Sequence, residues 1–159
     1  KQGDWINIEG VAEGSVEKID FRSTLIRRFD KAPIYVPNSV LSDSEIINFS
    51  EMPFRRIRFH VGLLYETTPE TIMAIRKDIE SYIEKNSNLV DSDQVPSTIR
   101  VTNFNDSSID VLVNCFTKST QWHDFCVARE ELILEIMRIV KNNGSDFAYP
   151  TRTIHLEKD

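Results

Sequence analysis

Apolar residues along this chain follow two regimes that meet between Ile34 and Arg58. From residue 3 to 36 they come in short pieces: Trp5 to Ile8, Gly14 to Ile19, Thr24 to Phe29 and Pro33 to Val36. Glu9-Gly10, Glu13-Gly14 and Asp30-Lys31 stand between them as turn candidates. Short strands at that spacing predict a small, strongly bent barrel, with Ile46 to Phe49 as its fifth strand. Pro37 and Pro53 bracket a polar turn and that fifth strand. About fifty residues bury too little surface for an independent core, so the barrel is expected to lean on neighbours.

Beyond Arg56 the pattern changes. Ile57, Phe59, Val61 and Leu63 alternate with Arg58 and His60, the mark of a strand with one buried side. Thr68-Pro69-Glu70 predicts a helix start, with Thr68 as cap, and Ile72, Ile75, Ile79 and Ile83 make one apolar stripe ending near Lys85 to Asn88. Ile99 to Val101 begins a second strand, Asp106 to Ser108 a turn, and Ile109, Val111, Val113 and Cys115 alternate along a third. Thr120 is the expected cap of a second helix carrying Trp122, Phe125, Arg129, Leu132, Ile133, Ile136, Met137 and Val140, stopped by Gly144. Thr151 to Leu156 supplies a fourth strand. This β-α-β-β-α-β order predicts a ferredoxin-like sandwich with sheet order 4-1-3-2 and helices on one face only. The other face would carry Arg58, His60, Asp110, Leu112, Asn114, Phe116 and His155, and an open face of that kind invites a partner.

Composition narrows the class. The 159 residues suffice for one average domain or two small ones, and 28% charged residues beside 40% hydrophobic ones are those of an ordinary globular protein. No apolar run approaches the ~20 residues of a membrane helix. The chain starts at Lys1 without a leader pattern, so it is expected to begin inside a longer protein. Two cysteines, Cys115 and Cys126, are too few for a disulfide scaffold and read as reduced core residues. Net charge is −6, with six cationic against eight acidic residues up to position 50 and 13 against 17 after it. That balance argues against nucleic acid and against an anionic bilayer surface.

Candidate chemistry is sparse. His60 and His155 could face one another on adjacent strands, yet no further ligand completes a zinc set, and surface histidines are the better reading. His123, Asp124 and Cys126 cluster at a helix start but do not converge on one face. Arg27-Arg28 and Arg55-Arg56 could hold an anion, although ion pairing with the many carboxylates is the simpler role. Trp5 and Trp122 are expected to pack inward. No phosphate loop, serine triad or CxxC pair is present, so neither an enzyme nor a cofactor is expected.

Several fragments, taken together, resemble a known family. Val36-Pro37-Asn38-Ser39, Ile46-Ile47-Asn48-Phe49-Ser50 and Pro53-Phe54-Arg55-Arg56 are similar to the cytoplasmic part of small-conductance mechanosensitive (MscS-like) channels. So are Gly3-Asp4-Trp5-Ile6, Gly14 to Glu17, Arg22-Ser23-Thr24, Asp106 to Ile109, Arg129-Glu130-Glu131 and Phe147 to Pro150, in order over about 150 residues.

The resemblance implies an α+β chain: an Sm-like five-stranded β-barrel domain over residues 1–52, then a ferredoxin-like α/β domain over 53–159. It implies a homo-oligomer of seven subunits, anchored through N-terminal membrane helices absent from this sequence. The β domains would form a ring beneath the pore, and the α/β domains a vestibule with side openings, on the cytoplasmic or equivalent side of a bacterial cell membrane or an organelle membrane. Membrane tension would open the pore and release ions and small solutes on hypo-osmotic shock. Asn48, Glu51, Met52, Arg55 and Arg56 are the candidates for the rim of the side openings. Charged residues commonly precede the junction proline in that family, whereas Glu51-Met52 stands here, so ion preference does not carry over. The other readings are an Sm-like module gripping RNA and a ferredoxin-like ligand sensor.

Overall fold

In the N-terminal half each strand pairs with its neighbour in sequence. The strands are β1 (Trp5–Ile8), β2 (Ala12–Ile19), β3 (Ser23–Arg27), β4 (Pro33–Pro37) and β5 (Ile46–Asn48). They form one antiparallel sheet in the order β4-β3-β2-β1-β5. The computed structural model describes residues 1–150, and the chain divides into two compact units, Lys1–Pro53 and Phe54–Asp159. The expected barrel is thus a strongly bent five-stranded sheet whose end strands, β4 and β5, do not pair with each other. A register shift at Glu17 sharpens the bend, and Arg27 on β3 grips that glutamate in a fork, Nε to Oε2 at 2.5 Å and a terminal nitrogen to Oε1 at 2.8 Å. Hydrogen bonding from Arg27 holds the Glu17 carboxyl below its ordinary range. Inside the bend Ile6, Ile8, Ala12, Val16, Ile26 and Val36 pack as the core of this unit.

Two expectations change here. Glu13-Gly14 is not a turn but lies inside β2, where a Cβ on Gly14 would collide with the carbonyl of Arg27 on β3. This glycine is required by close strand approach, not by chain reversal. The polar stretch after Pro37 contains a short helix, α1 (Asn38–Ser42), and β5 gives way at Phe49 to a single 3-10 turn, Phe49–Glu51.

Asn38 explains why the Pro37-Asn38 corner holds its shape. Its side-chain amide donates to the carbonyls of Asp20 (2.9 Å) and Phe21 (3.2 Å). Its backbone N–H donates to Arg22 O at 3.0 Å, and its side-chain oxygen accepts from the buried hydroxyl of Thr24 at 2.9 Å. One residue thereby satisfies the backbone of the β2–β3 turn.

The second unit follows the predicted order through β6 (Arg55–Leu63), α2 (Pro69–Lys85), β7 (Thr98–Phe104), β8 (Ile109–Thr117) and α3 (Trp122–Asn142). The sheet is antiparallel in the order β6-β8-β7. The fourth strand expected over residues 151–156 lies outside the described residues. Thr68 caps α2, accepting from the Thr71 N–H at 3.3 Å, with Pro69 in the first turn. Gly144, at φ +73°, ends α3: its N–H reaches Lys141 O and that of Ser145 reaches Val140 O, the paired bonds of a Schellman stop.

The start of α3 departs from expectation. Gln121, not Thr120, occupies the cap position and makes no side-chain cap bond; the Ser119 hydroxyl instead accepts from Gln121 N and donates to Asp124 at 2.7 Å. The buried seam of α3 is Phe125, Ala128, Leu132, Ile136, Ile139 and Val140, which with Ile75, Ile79 and Ile83 of α2 covers Ile57, Val61, Val111 and Val113. Trp122, Arg129, Ile133 and Met137, expected on that seam, are exposed. Phe125, Ala128, Leu132, Ile136 and Ile139 recur at helical spacing and define the buried stripe, and the four exposed residues fall to one side of it.

The two cysteines also separate. Cys115 is fully buried among β6 and β8 side chains, and burial pushes its thiol up to about 12, whereas Cys126 is exposed, contrary to the core role expected for both.

Asn38→Ala removes three side-chain hydrogen bonds and leaves the buried Thr24 hydroxyl short of a partner, so chemical denaturation should show a loss of about 2–4 kcal/mol. A loss below about 0.5 kcal/mol would show that the corner is held otherwise. Titration of the native protein with a thiol reagent should report one fast thiol, Cys126, and a second only on unfolding. Because the folded Cys115 thiol keeps its proton while the unfolded one ionises, stability should fall between about pH 9 and 12. The slope is about 1.4 kcal/mol per pH unit, and Cys115→Val should remove that component.

Candidate functional site

The five predicted rim residues sit on one stretch of chain but in different settings. Asn48 caps the 3-10 turn: its side-chain oxygen accepts from Ser50 N at 3.0 Å while its amide donates to the buried Asp4 carboxylate at 2.9 Å. Ser50 in turn accepts the Trp5 N–H at 2.8 Å. The segment from Asn48 to Ser50 is therefore pinned to the start of β1, and Asn48 has a structural role there. Glu51 ends the turn with an exposed carboxylate that no described residue pairs, and Met52 is half-buried.

Arg55 and Arg56 open β6 and point to opposite sides of its sheet. Arg55 lies on the helix side, its guanidinium carbon 4.8 Å from the Trp122 ring centre and 4.9 Å from that of Phe125, and it donates to Thr120 O at 3.2 Å. A carboxylate partner was the expected one; two aromatic faces and a carbonyl take its place. Cation–π contacts of this kind contribute roughly 0.5–2 kcal/mol each. They also account for Trp122, half-exposed rather than packed inward, because it serves as a plate beneath the arginine. Arg56 is exposed and has no ionic partner among the described residues. Of the charged candidates, Glu51 of the first unit and Arg56 of the second have no ionic partner among the described residues, and Arg55 is clamped.

Other candidates resolve more simply. Arg27 is taken by Glu17 and Arg28 by Asp30 at 3.4 Å, so the basic pair that a nucleic acid would need is already neutralised. Trp5 is half-buried, tilted against Phe29 at 6.0 Å and donating from its ring nitrogen to Glu13 at 3.3 Å. Asp124 accepts from Ser119 rather than engaging a thiol. His60 is exposed, its proposed partner His155 lies outside the described residues, and no group of three or more ligating side chains occurs among those described. Sequence reasoning missed Trp122 and Phe125 as supports of Arg55, because the contact joins residues nearly seventy positions apart and leaves no mark on strand or helix periodicity.

Comparison with known proteins agrees with this architecture. A family described as the β-domain of mechanosensitive ion channels matches residues 1–51, and one described as the C-terminal part of the mechanosensitive ion channel MscS matches residues 57–147. The low conductance mechanosensitive channel YnaI of Escherichia coli is 36% identical over 159 residues, covering 98% of this chain and 45% of that protein. The small-conductance channel MscMJ of Methanocaldococcus jannaschii is 34% identical over 99% of this chain and 43% of its own length. The closed-state structure of Helicobacter pylori MscS superposes with a TM-score of 0.78 at 27% identity, over all of this chain and 60% of that one. The chain spans less than half the length of these curated relatives. With both of its units matched in the same order, this chain belongs to the MscS family of mechanosensitive ion channels.

Proposed function

We propose that this chain is the vestibule and assembly portion of a channel that opens under membrane tension and releases ions and small solutes on hypo-osmotic shock. In the complete protein seven subunits assemble around a pore helix that precedes the β unit, and this portion lies on the cytoplasmic or equivalent side of the membrane. The division into an Sm-like and a ferredoxin-like domain near Pro53 belongs to the same reading, as does the absence of enzymatic chemistry. The observation that carries it is the joint match of both units, in order, to channel relatives along nearly the whole chain. No helix among the described residues is long and apolar enough to cross a membrane.

Two physical features support the reading. The sheet of the first unit ends in two edges, on β4 and β5, that find no strand partner among the described residues. Tyr35 on β4 and Ile46 and Ile47 on β5 are exposed beside them. Two unlike edges on one subunit suit head-to-tail contact, which closes into a ring when the rotation permits. The second feature is exposed charge at the expected rim positions: Glu51 of the first unit and Arg56 of the second each lack an ionic partner among the described residues.

The test is a patch recording of the full-length protein bearing Glu51→Lys. The reversal potential in asymmetric salt should shift toward anions at an unchanged tension threshold. An unmoved reversal potential would overturn the placement of Glu51 on the rim, and a wild-type protein with no tension-activated current would overturn the channel reading itself.

A further inference from the structure

Among the described residues of the second unit two surfaces are left uncovered, and they match each other. The first is the sheet face turned away from α2 and α3. There Arg56, Arg58 and His60 of β6 are exposed, directly opposite half-buried Phe116, Asn114 and Leu112 of β8. Neither arginine has an ionic partner among the described residues. The nearest acid on this face, Asp110, already accepts from Ser108 and Asn105, both at 2.7 Å. In a chain of net charge −6 this is a local column of positive charge beside an apolar column.

The second surface is the outer side of α3. Val127, Ile133, Leu134 and Met137 are exposed there, and Leu134 and Met137 border a shallow depression that continues toward Lys141. Glu130 lies within this apolar patch and Glu131 at its margin, both exposed and without an ionic partner among the described residues. The cations near the helix end are engaged, Arg138 with Glu135 at 2.8 Å and Lys141 with Asp146 at 2.6 Å. Arg129 is exposed too, but two residues' rotation turns it about 160° away from Val127. This side of α3 therefore presents an apolar strip with free negative charge.

Resting on the ring-forming reading above, we propose that the outer side of α3 of one subunit docks on the open β6–β8 face of the next. The lengths agree: Arg56 to His60 spans about 14 Å along a strand, and Val127 to Met137 rises about 15 Å along a helix. In that register Val127 covers Phe116, Leu134 and Met137 cover Leu112, and Glu130 and Glu131 between them reach Arg56 and Arg58. The docked helix makes the sheet a three-layer sandwich, helices on both faces, the arrangement that removes most apolar sheet surface from water. The two patches differ and reside on one chain, so the contact is head-to-tail and each subunit both gives and receives a helix. Opposite charge fixes register more than it adds affinity.

The full-length protein with Cys126→Ser tests this, since Cys115 is buried and its thiol stays protonated. Arg58→Cys is combined in turn with Glu130→Cys, Leu134→Cys or Met137→Cys and oxidised mildly. At least one pair should give a ladder of subunit multiples that neither single cysteine gives. Adding Arg56→Glu to the Arg58→Cys/Leu134→Cys protein should reduce the ladder, and adding Glu130→Arg as well should restore it. Absence of a ladder from all three pairs overturns the proposal. In that case an amine-reactive cross-linker applied to the same samples decides what else falls: higher multiples leave the ring reading standing with a different interface, and monomers remove both.

Discussion

The first unit makes a sheet from five short strands and leaves the outer edges of β4 and β5 unpaired among the described residues. A unit of about fifty residues has little core with which to offset those open backbone groups, and its buried cluster is six residues of modest size. The interior bonds reflect the same shortage. Asn38 spends its side chain and backbone on one turn, Asn48 and Ser50 tie the last segment to β1, and Glu17 holds the bulge through Arg27. Polar side chains here do the fixing that a larger core would do by packing.

The second unit is built the opposite way. Sixteen buried apolar residues from three strands and two helices, with Leu89 from the α2–β7 connection, form one cluster among the described residues, so the geometry at its start, where Arg55 and Arg56 lie, rests on a stiff support. That stiffness gives the two arginines distinct roles. Arg55 is drawn onto Trp122 and Phe125, whereas Arg56 faces the other side of the sheet unpaired, so a sequence doublet becomes one structural and one free charge.

Much of this was legible from residue pattern because the signals were local and redundant. The Ile72, Ile75, Ile79 and Ile83 stripe with its Thr68-Pro69 start, the alternation along β6 and β8, and the Gly144 stop each combine periodicity with a specific terminus. Misreadings arose where one residue type serves two physical needs. Gly14 answers to strand crowding rather than a turn, and the α1 stretch is too short for periodicity to register. Ser119 and Thr120 offer the same hydroxyl chemistry, so only the geometry of the β8–α3 connection decides between them. At the candidate rim, the clamping of Arg55 depends on a contact across the fold that no local pattern encodes.

The central claim is that the unpaired edges and faces of a single chain are completed by copies of itself. The most direct measurement is the mass of the purified full-length protein by light scattering across a range of concentrations. The account predicts a single species near seven subunits that persists on dilution; a monomer at every concentration would contradict it.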